Sequence, residues 1–258
     1  MSYLEVRGLE KSYVVRGRTT HVLGGVDLTV EEGEFVAVVG YSGSGKTTLV
    51  SLIAGLLSPD RGEIVLDGAL VTEPGPERGI VFQQYSLLPW LTVHDNVALA
   101  VDAVNARASA AARRRLTDEL IALVNLTPAR DKRPRELSGG MRQRVAVARG
   151  LGMAPKLLLM DEPFSALDAL TRAILQDELT RIWGERRCTV ILITHDVDEA
   201  ILLADRIVMM TNGPAATIGE IFDVPFAHPR RREHLLDRPD YFWLRDSILA
   251  FLEAEVHA

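Results

Sequence analysis

The chain has 258 residues, 47% of them hydrophobic and 25% charged, which is the ordinary balance of a soluble globular protein. Its formal net charge of -6 gives no overall attraction to nucleic acid, so no nucleic-acid partner is expected. No apolar run reaches the roughly 18 residues that a membrane-spanning helix needs, and no basic-then-apolar leader follows Met1. We therefore expect a cytosolic protein that meets a membrane only through other subunits.

The first third of the chain changes character at about residue 35. Before that point, short alternating runs are separated by glycine turns at Gly24-Gly25 and Glu32-Gly33, which indicates an antiparallel β layer. The apolar run FVAVVG then predicts a buried strand that leads into a glycine-rich loop. A helix is expected to begin near Lys46, and its apolar face comprises Leu49, Leu52, Ile53 and Leu56.

Later segments alternate between strand and helix patterns, which is typical of an α/β fold. Strands are predicted in GIVFQ, LLLMDEP, TVILITH and RIVMMT, and NGP at 212–214 predicts a tight hairpin turn into AATIGEI. The single cysteine, Cys188, opens the apolar run CTVILIT and is expected to be a buried strand residue. Between Gln84 and Pro155 the patterns are helical, which indicates an inserted helical region. YFWLRDSILAFLEAE, near the C-terminus, predicts an amphipathic helix docked on a surface.

The glycine-rich loop GYSGSGKTT matches G-x-x-x-x-G-K-[ST] and lies between a predicted strand and a predicted helix. In that setting backbone N–H groups and the helix N-terminus surround phosphate oxygens, Lys46 reaches the β- and γ-phosphates, and the Thr47 hydroxyl binds Mg²⁺. A glycine turn with a purely structural role is the alternative. The candidate nucleotide-binding residues here are Gly40, Ser42, Gly43, Ser44, Gly45, Lys46, Thr47 and Thr48.

Polar side chains follow three further predicted strands. Asp161 is expected to bind Mg²⁺, and the adjacent Glu162 to orient and deprotonate the attacking water. Gln83 could contact Mg²⁺ or that water, and His195 could donate a hydrogen bond to the γ-phosphate. Each residue alone could be structural, or a solvated strand end. Because strands ending in Gly40, Gln83, Asp161 and His195 can converge on one crevice, together they predict a catalytic site.

These motifs resemble the ATP-binding subunit of ABC transporters over about residues 2–225. The loop at Gly40 resembles Walker A, Gln83 the Q-loop, LSGGMRQR the signature, LLLMDEP Walker B, SALD the D-loop and His195 the switch histidine. The resemblance adds two residues to the candidate ATP site: Tyr13, as an adenine-stacking aromatic, and Asp168 of the D-loop. Without it, Tyr13 would be an ordinary strand tyrosine.

The resemblance also assigns a role to the second glycine turn, at Ser138, Gly139 and Gly140. In this family the signature contacts the γ-phosphate of ATP held by the opposite subunit, again with a helix N-terminus, N–H groups and a hydroxyl. Two half-sites on one chain imply a head-to-tail dimer with two ATP molecules at its interface. The implied partner is a second ATP-binding subunit, identical or related.

The fold implied by the resemblance is a P-loop ABC ATPase cassette: an α/β, RecA-like core with an antiparallel β subdomain and an inserted α-helical subdomain. The corresponding domains are a nucleotide-binding core at 1–84 and 156–225, a helical subdomain with the signature at 85–155, and a C-terminal helical extension at 226–258.

The implied function is ATP hydrolysis that energises import of a small anion, with ATP and Mg²⁺ as cofactors. The segments THDVDEA and DEPFSALDALTR resemble the importer branch for nitrate, sulfonates, taurine, cyanate or bicarbonate, and TNGPAATIGEI with RPDYFWLR is most like nitrate ATPases. YSLLPWLTV, at 85–93, resembles the surface that receives a membrane subunit, although core packing is its alternative. The implied partners are membrane permease subunits and a substrate-binding protein, at the cytoplasmic face of the cell membrane.

Two other functions stay open at this point. An ABC-type ATPase acting on nucleic acid or ribosomes is disfavoured by the acidic net charge and by the absence of a long coiled-coil insertion or a second cassette. An exporter is disfavoured because exporters often fuse membrane spans to the cassette, and this chain has none in its sequence.

Overall fold

A computed structural model describes residues 2–15, 17–186 and 188–257 of the chain. The chain forms two compact units: unit 1 comprises Met1–Gly75 and Thr189–Ala258, and unit 2 comprises Pro76–Cys188. Among the helices of the described residues, none is both long and apolar enough to cross a membrane. The domain boundaries proposed above follow sequence character rather than these units, and they stay a prediction.

The first stretch of unit 1 contains an antiparallel sheet and the first buried strand. The sheet has the strand order β2-β1-β4-β5, which confirms the predicted antiparallel layer. Its last two strands were not predicted, although Asp67-Gly68 (φ 49° and 76°) is a typical hairpin turn pair. The elements are β1 (Leu4–Val15), β2 (Arg18–Val30), β3 (Phe35–Val39), α1 (Lys46–Ile53), β4 (Arg61–Leu66) and β5 (Ala69–Leu70).

Unit 2 is mainly helical, with one parallel pair of strands. β6 pairs with β7 so that Val81 lies opposite Met160, and every residue of β7 is buried. Short 3₁₀ helices at Thr127–Ala129 and Pro134–Glu136 lead to the signature. The main elements are β6 (Arg78–Val81), α2 (Val93–Val104), α3 (Ala110–Leu123), α4 (Gly139–Gly152), β7 (Leu157–Asp161) and α5 (Ala169–Arg186).

The last stretch completes unit 1. β3 lies between β8 and β9 and is parallel to both, while β10 pairs antiparallel with β9. All residues of β3 and β8 are buried, as continuous apolar runs predict for strands covered on both faces. The elements are β8 (Thr189–Thr194), α6 (Val197–Leu203), β9 (Arg206–Met210), β10 (Ile218–Asp223), α7 (Arg232–Leu236) and α8 (Pro239–His257).

Three local predictions were wrong. Leu56 is not on the buried face of α1: the helix ends at Ile53, Gly55 adopts φ 75° beyond it, and Leu56 is 46% exposed. The turn after β9 is not tight, because residues 211–217 separate β9 from β10. Cys188 precedes its strand and is only half-buried.

Buried polar contacts hold the C-terminal region to the rest of unit 1. The Arg230 guanidinium donates hydrogen bonds to the carbonyl oxygens of Phe226, Ile201 and Ala204, at 2.7, 2.9 and 2.5 Å. Burial lowers the pKa of Arg230 to about 10, so the side chain stays charged at neutral pH. The predicted amphipathic helix is α8, which packs against α6 through a buried face that contains Tyr241, Leu244 and Ile248.

Candidate functional site

In unit 1 the loop after β3 closes around the ammonium group of Lys46. This group donates hydrogen bonds to the carbonyl oxygens of Gly40 and Tyr41, at 2.8 and 2.6 Å, and lies 3.3 Å from Ser44 Oγ. Lys46 is only 5% exposed and Ser44 1%. The loop is therefore a compact concave turn with a fixed positive charge at the start of α1, which suits anion binding.

Glycine is required at several positions of this loop. Gly43 and Gly45 adopt φ of 89° and 84°, in the left-handed region where side chains are strained. A Cβ on Gly45 would lie 2.7 Å from Leu23 Cδ2, and one on Gly40 would lie 2.9 Å from Ser44 Oγ. The sequence of the loop is thus explained by its own backbone path and by close packing.

The structure brings His195 to the same sheet edge as this loop. β3 and β8 pair in parallel with Val39 opposite Thr194, so Gly40 and His195 follow directly paired residues. His195 is exposed, while Thr194 beside it is buried. Within unit 1, therefore, an imidazole and a phosphate-type loop leave the carboxyl edge of adjacent strands, where α/β proteins bind ligands.

Tyr13 lies on the antiparallel sheet and contacts the first turn of α1. Its hydroxyl is 3.5 Å from Thr48 Oγ1, and its ring is half-buried. Lys11 Nζ lies 6.0 Å from the ring centroid. Thr47, the neighbour of Thr48, is exposed in the same turn. Tyr13 is thus placed beside the phosphate-type loop, and its role toward adenine stays a prediction.

In unit 2 the predicted catalytic residues form one hydrogen-bonded cluster at the carboxyl edge of β6 and β7. Gln83 Nε2 donates to Glu162 Oε2 at 3.1 Å and lies 3.4 Å from Ser165 Oγ. Ser165 Oγ in turn donates to the carbonyl oxygen of Glu162 at 2.9 Å. Ser165 was not predicted as a site residue, although its position three residues after Glu162 was a usable signal.

The two adjacent acidic residues at the end of β7 differ in their surroundings. Asp161 is 8% exposed and ends β7, whereas Glu162 is half-buried and adopts φ 44°. A left-handed conformation at a residue other than glycine costs on the order of 1–3 kcal/mol and is found most often at functional sites. The strain at Glu162 therefore supports a role for its carboxylate in chemistry rather than in folding.

The second glycine turn opens α4. Ser138 is the N-cap residue, and its hydroxyl accepts a hydrogen bond from Met141 N at 3.3 Å. Ser138 is exposed and Gly139 half-buried. Neighbouring Arg142 donates to the carbonyl oxygen of Leu137 at 2.8 Å, and its guanidinium lies 5.5 Å from the Tyr85 ring centroid. The contacts of Arg142 thus hold the start of α4 in place, while the N-cap residue Ser138 is exposed.

Asp168 is an exposed residue just before α5. Its carboxylate accepts a hydrogen bond from the backbone N–H of Thr171 at 3.0 Å, and this bond lowers the pKa of Asp168 below its usual range. The carboxylate is therefore charged at neutral pH. Its contacts within the unit are those of a helix cap, and a role toward nucleotide stays a prediction.

The donors available for Mg²⁺ fit a site completed by phosphate rather than a protein cage. Among the described residues, no group of three or more His, Cys, Asp and Glu side chains could hold a metal ion. Mg²⁺ commonly takes one or two protein oxygens and fills its remaining positions with water and phosphate oxygens. The donors predicted for Mg²⁺ are of that type: the Thr47 hydroxyl in unit 1 and, in unit 2, the Asp161 carboxylate and the Gln83 amide oxygen. That they share one ion stays a prediction.

The segment at residues 85–93 presents an aromatic side chain to solvent. Trp90 is 65% exposed, which argues against the core-packing alternative for this residue. The backbone around it is fixed, because buried Asn96 accepts a hydrogen bond from Leu88 N at 2.9 Å and donates to the carbonyl oxygens of Leu88, Leu91 and Thr92. Tryptophan is enriched at protein–protein interfaces, so the exposed Trp90 is compatible with the predicted surface for a membrane subunit, which stays a prediction.

Comparison with known proteins identifies the family. The profile of the ABC transporter family matches residues 23–165, from the antiparallel sheet through Gln83 and Glu162 to Ser165, and His195 lies beyond the match. The chain belongs to the ABC transporter family. This result confirms the resemblance inferred from the motifs, and the chain is an ATP-hydrolysing enzyme of the ABC type.

Among its relatives are ATPases of the predicted importer branch. The chain is 49% identical over 251 residues to the bicarbonate transport ATP-binding protein CmpD of Synechocystis sp., covering 97% of this chain and 89% of the relative. It is 54% identical over 227 residues to the nitrate import ATP-binding protein NrtD of Synechococcus elongatus, covering 88% of this chain and 83% of the relative. The predicted branch is confirmed, and two of the anions predicted for it, nitrate and bicarbonate, appear in the names of these relatives.

Solved structures confirm the fold class. The dimeric post-hydrolysis structure of the ATP-binding cassette MJ0796 bound to ADP and Pi superimposes with a TM-score of 0.77 at 30% identity. The alignment covers 87% of this chain and 100% of that cassette. The α/β cassette predicted from the sequence is therefore the fold of this chain.

Proposed function

We propose that the chain is the ATP-hydrolysing subunit of an ABC importer for a small anion, with nitrate as the leading candidate. The observation that carries the proposal is near-complete alignment, at 49–54% identity, with ATPases of nitrate and bicarbonate transport. The enzyme would sit on the cytoplasmic face of the membrane and act through permease subunits, with a substrate-binding protein delivering the anion.

In the proposed site, the loop at Gly40–Lys46 binds the phosphates of ATP. The Lys46 ammonium, now hydrogen-bonded to loop carbonyls, would turn toward the β- and γ-phosphates, and backbone N–H groups of Gly43, Ser44 and Gly45 would bind the same oxygens. Tyr13 would stack on adenine. His195, at the same edge as Gly40, would donate a hydrogen bond to the γ-phosphate.

The chemical step is assigned to the unit 2 cluster. Thr47 of the phosphate loop, with Asp161 and Gln83 of unit 2, would hold Mg²⁺, whose positive charge would offset the negative charge of the phosphates. Glu162 would accept a proton from the attacking water, and the Gln83 amide, which donates to Glu162 Oε2, would fix the direction of that carboxylate. Ser165 would hold the backbone of Glu162 through its carbonyl oxygen.

The signature is proposed to act on the nucleotide of a second cassette. Ser138 and the N–H groups of Gly139 and Gly140 would contact a γ-phosphate bound by the partner subunit, and Asp168 would lie at the same interface. MJ0796, which is similar over its whole length, is a dimer in its ADP- and Pi-bound structure. ATP would then favour a closed dimer through contacts that exist only in that state, and hydrolysis would reopen it.

Bicarbonate is the second candidate substrate, and a specific observation favours it. The bicarbonate transport relative aligns with 97% of this chain, whereas the nitrate import relative aligns with 88% at higher identity. Nitrate is supported by the residue pattern of the hairpin TNGPAATIGEI and the tail RPDYFWLR. Both ions are small planar oxyanions with one negative charge, so one kind of permease site could serve either.

Uptake by whole cells tests the substrate. A host strain lacking this chain, a strain carrying it, and a matched strain carrying Glu162→Gln would be compared for uptake of labelled nitrate and labelled bicarbonate at low external concentration. We expect nitrate uptake only with the unaltered chain. Loss of bicarbonate uptake alone would move the assignment to bicarbonate, and loss of sulfonate, taurine or cyanate uptake would keep the importer but change the anion. Unchanged uptake of every anion, with a defect in translation or DNA repair, would overturn the importer proposal.

A further inference from the structure

The helix α8 is hydrogen-bonded to the helix that follows His195. Tyr241 Oη donates to Asp198 Oδ1 at 2.7 Å, and Arg245 Nε donates to the same oxygen at 2.8 Å. Asp198 lies in the first turn of α6, three residues after His195. Two donors from successive turns of α8 therefore converge on one carboxylate oxygen.

The far end of the same helix is joined to the loop after β9. Asn212 N donates to Glu255 Oε2 at 2.7 Å, and Asn212 Nδ2 donates to the carbonyl oxygen of Glu255 at 2.5 Å. The next residue of the loop, Gly213, lies against the phosphate loop, because a Cβ there would be 3.7 Å from the carbonyl oxygen of Gly43. One helix thus contacts both α6, which follows His195, and the loop that lies against the phosphate loop.

The packing of α8 makes this helix suited to fix the position of α6 relative to the loop after β9. Between its two polar ends, Leu244 and Ile248 are buried, and the Phe251 ring fills the space above Gly219 of β10, where a Cβ would lie 2.6 Å from Phe251 Cζ. Burial raises the pKa of Tyr241, and its hydrogen bond to Asp198 raises it further, so the hydroxyl is a donor at physiological pH.

The contact with Asp198 is stronger than an exposed ion pair. The Arg245 and Asp198 side chains are 36% and 40% exposed, and such a pair alone contributes little. Tyr241, however, is only 4% exposed, and its hydroxyl would lose its partner without Asp198. The polar contact therefore fixes the first turn of α6 more firmly than apolar packing alone would.

We propose that Tyr241 and Arg245 are positioning residues for ATP hydrolysis, which act through Asp198 to hold His195 in register with the phosphate loop. The inference deepens the proposed function and rests on the role assigned to His195 there. It gives the C-terminal extension a task in the catalytic cycle, since the same helix reaches the Asn212–Gly213 loop beside Gly43.

Steady-state kinetics of the complete transporter, assembled with the full chain, tests this inference. Tyr241→Phe combined with Arg245→Met should lower kcat about tenfold with KM for ATP within twofold, because small displacements of a catalytic group slow turnover before they weaken binding. Arg245→Lys alone, which keeps the positive charge, should retain most of the kcat of the unaltered chain. Ser247→Ala is the matched control: it removes a hydroxyl of α8 that donates to the carbonyl oxygen of Trp243. We expect this control to leave kcat unchanged.

A double-mutant comparison separates positioning from general stability. In a His195→Ala background, Tyr241→Phe with Arg245→Met should cause no further loss of kcat, because residues acting through one another are not additive. Two results would overturn the inference. One is a further tenfold loss of kcat when the two substitutions are added to His195→Ala, and the other is an unchanged kcat when they are made in a chain that keeps His195. If the double variant unfolds, Tyr241→Phe and Asp198→Asn are each measured alone against the same expectation. Normal turnover by His195→Ala itself would overturn the role of His195 and so the proposed site, which is a distinct outcome.

Discussion

The two glycine turns of this chain open helices in different ways. At the phosphate loop, two glycines adopt positive φ, Ser44 and Lys46 are buried, and the lysine is bonded to the loop's own carbonyls. At the signature, neither Gly139 nor Gly140 has a positive φ, and the N-cap Ser138 is exposed. The first turn is a closed cradle, and the second is an open helix start.

The difference lies in what the glycines are needed for. Gly40 and Gly45 are required by neighbours within unit 1, where any Cβ would clash. Gly139 meets nothing closer than 3.5 Å, so its own unit would accept a side chain there. A glycine that its own fold does not require is best explained by a close approach from outside, which agrees with the proposed role of the signature toward a partner's nucleotide.

The largest expected effect concerns Glu162, which belongs to neither turn and so separates binding from chemistry. Glu162→Gln keeps the shape of the side chain but removes the base, and we expect turnover to fall by roughly 10²- to 10⁴-fold. ATP affinity should be kept, and size exclusion with ATP should show a stable dimer. Near-normal hydrolysis would remove Glu162 from the role of base.

The second-largest expected effect tests the phosphate loop. Lys46→Ala removes a charge-assisted contact with phosphate, and ATP affinity of the isolated chain should fall about 10- to 100-fold, since hydrogen bonds to charged groups are worth about 1.5–3 kcal/mol. Ser138→Arg is the matched variant of the open turn, and it should leave that affinity unchanged. Fluorescence titration with a nucleotide analogue, performed below the dimerisation concentration, measures both.

Loss of affinity in the Ser138→Arg monomer would contradict the comparison, because the signature would then act on its own chain's nucleotide. Ser138→Arg should nevertheless abolish turnover, since its side chain would fill the position of the partner's γ-phosphate.

Mixing the two inactive chains sharpens the test. A heterodimer of Lys46→Ala and Ser138→Arg contains one site in which both the phosphate loop and the signature are intact. We expect this mixture to recover part of the ATP turnover that each chain lacks alone, as measured by phosphate release across a titration of one chain into the other. Recovery should peak near equal proportions. A flat titration would indicate that the two sites cannot work independently.

Much of this site could be predicted from the sequence because it depends on local rules. The loop G-x-x-x-x-G-K-[ST] requires a strand before it and a helix after it, and β3 and α1 supply them. Gln83 and Glu162 were expected to converge because parallel strands end at one edge, and they are 3.1 Å apart in the structure. Such inferences need only strand direction and order.

Other features depend on contacts between distant residues. Nothing near Asp198 in the sequence indicates that Tyr241 and Arg245 converge on it. Likewise, Arg230 donates a hydrogen bond to the carbonyl oxygen of Ile201, which is distant in the sequence. Helix ends were also misjudged where one glycine decided them, as at Gly55. The missed hairpin at Asp67-Gly68 is different, because its turn pair was visible in the sequence and was overlooked.

The smallest expected effect distinguishes the two glycines of the signature. Gly139→Ala introduces a Cβ at ordinary contact distance, 3.5 Å from Tyr85 Oη, in a backbone conformation that alanine accepts. It should keep the fold or stabilise it by about 0.4–1 kcal/mol, because alanine restricts the unfolded chain. Gly140→Ala would place a Cβ 2.4 Å from Thr171 Cγ2 and should destabilise the chain by about 1–3 kcal/mol through overpacking.

The functional result should run opposite to the stability result. Thermal unfolding reports the fold, and ATP-dependent dimerisation of each variant, in the Glu162→Gln background, reports the interface. We expect Gly139→Ala to weaken the dimer several-fold while its unfolding midpoint stays level or rises, because the added methyl group occupies space reserved for the partner's phosphate. Full dimerisation by Gly139→Ala would mean that the partner's phosphate does not come close to Gly139. The contrast between the two glycine turns would then reflect helix packing alone.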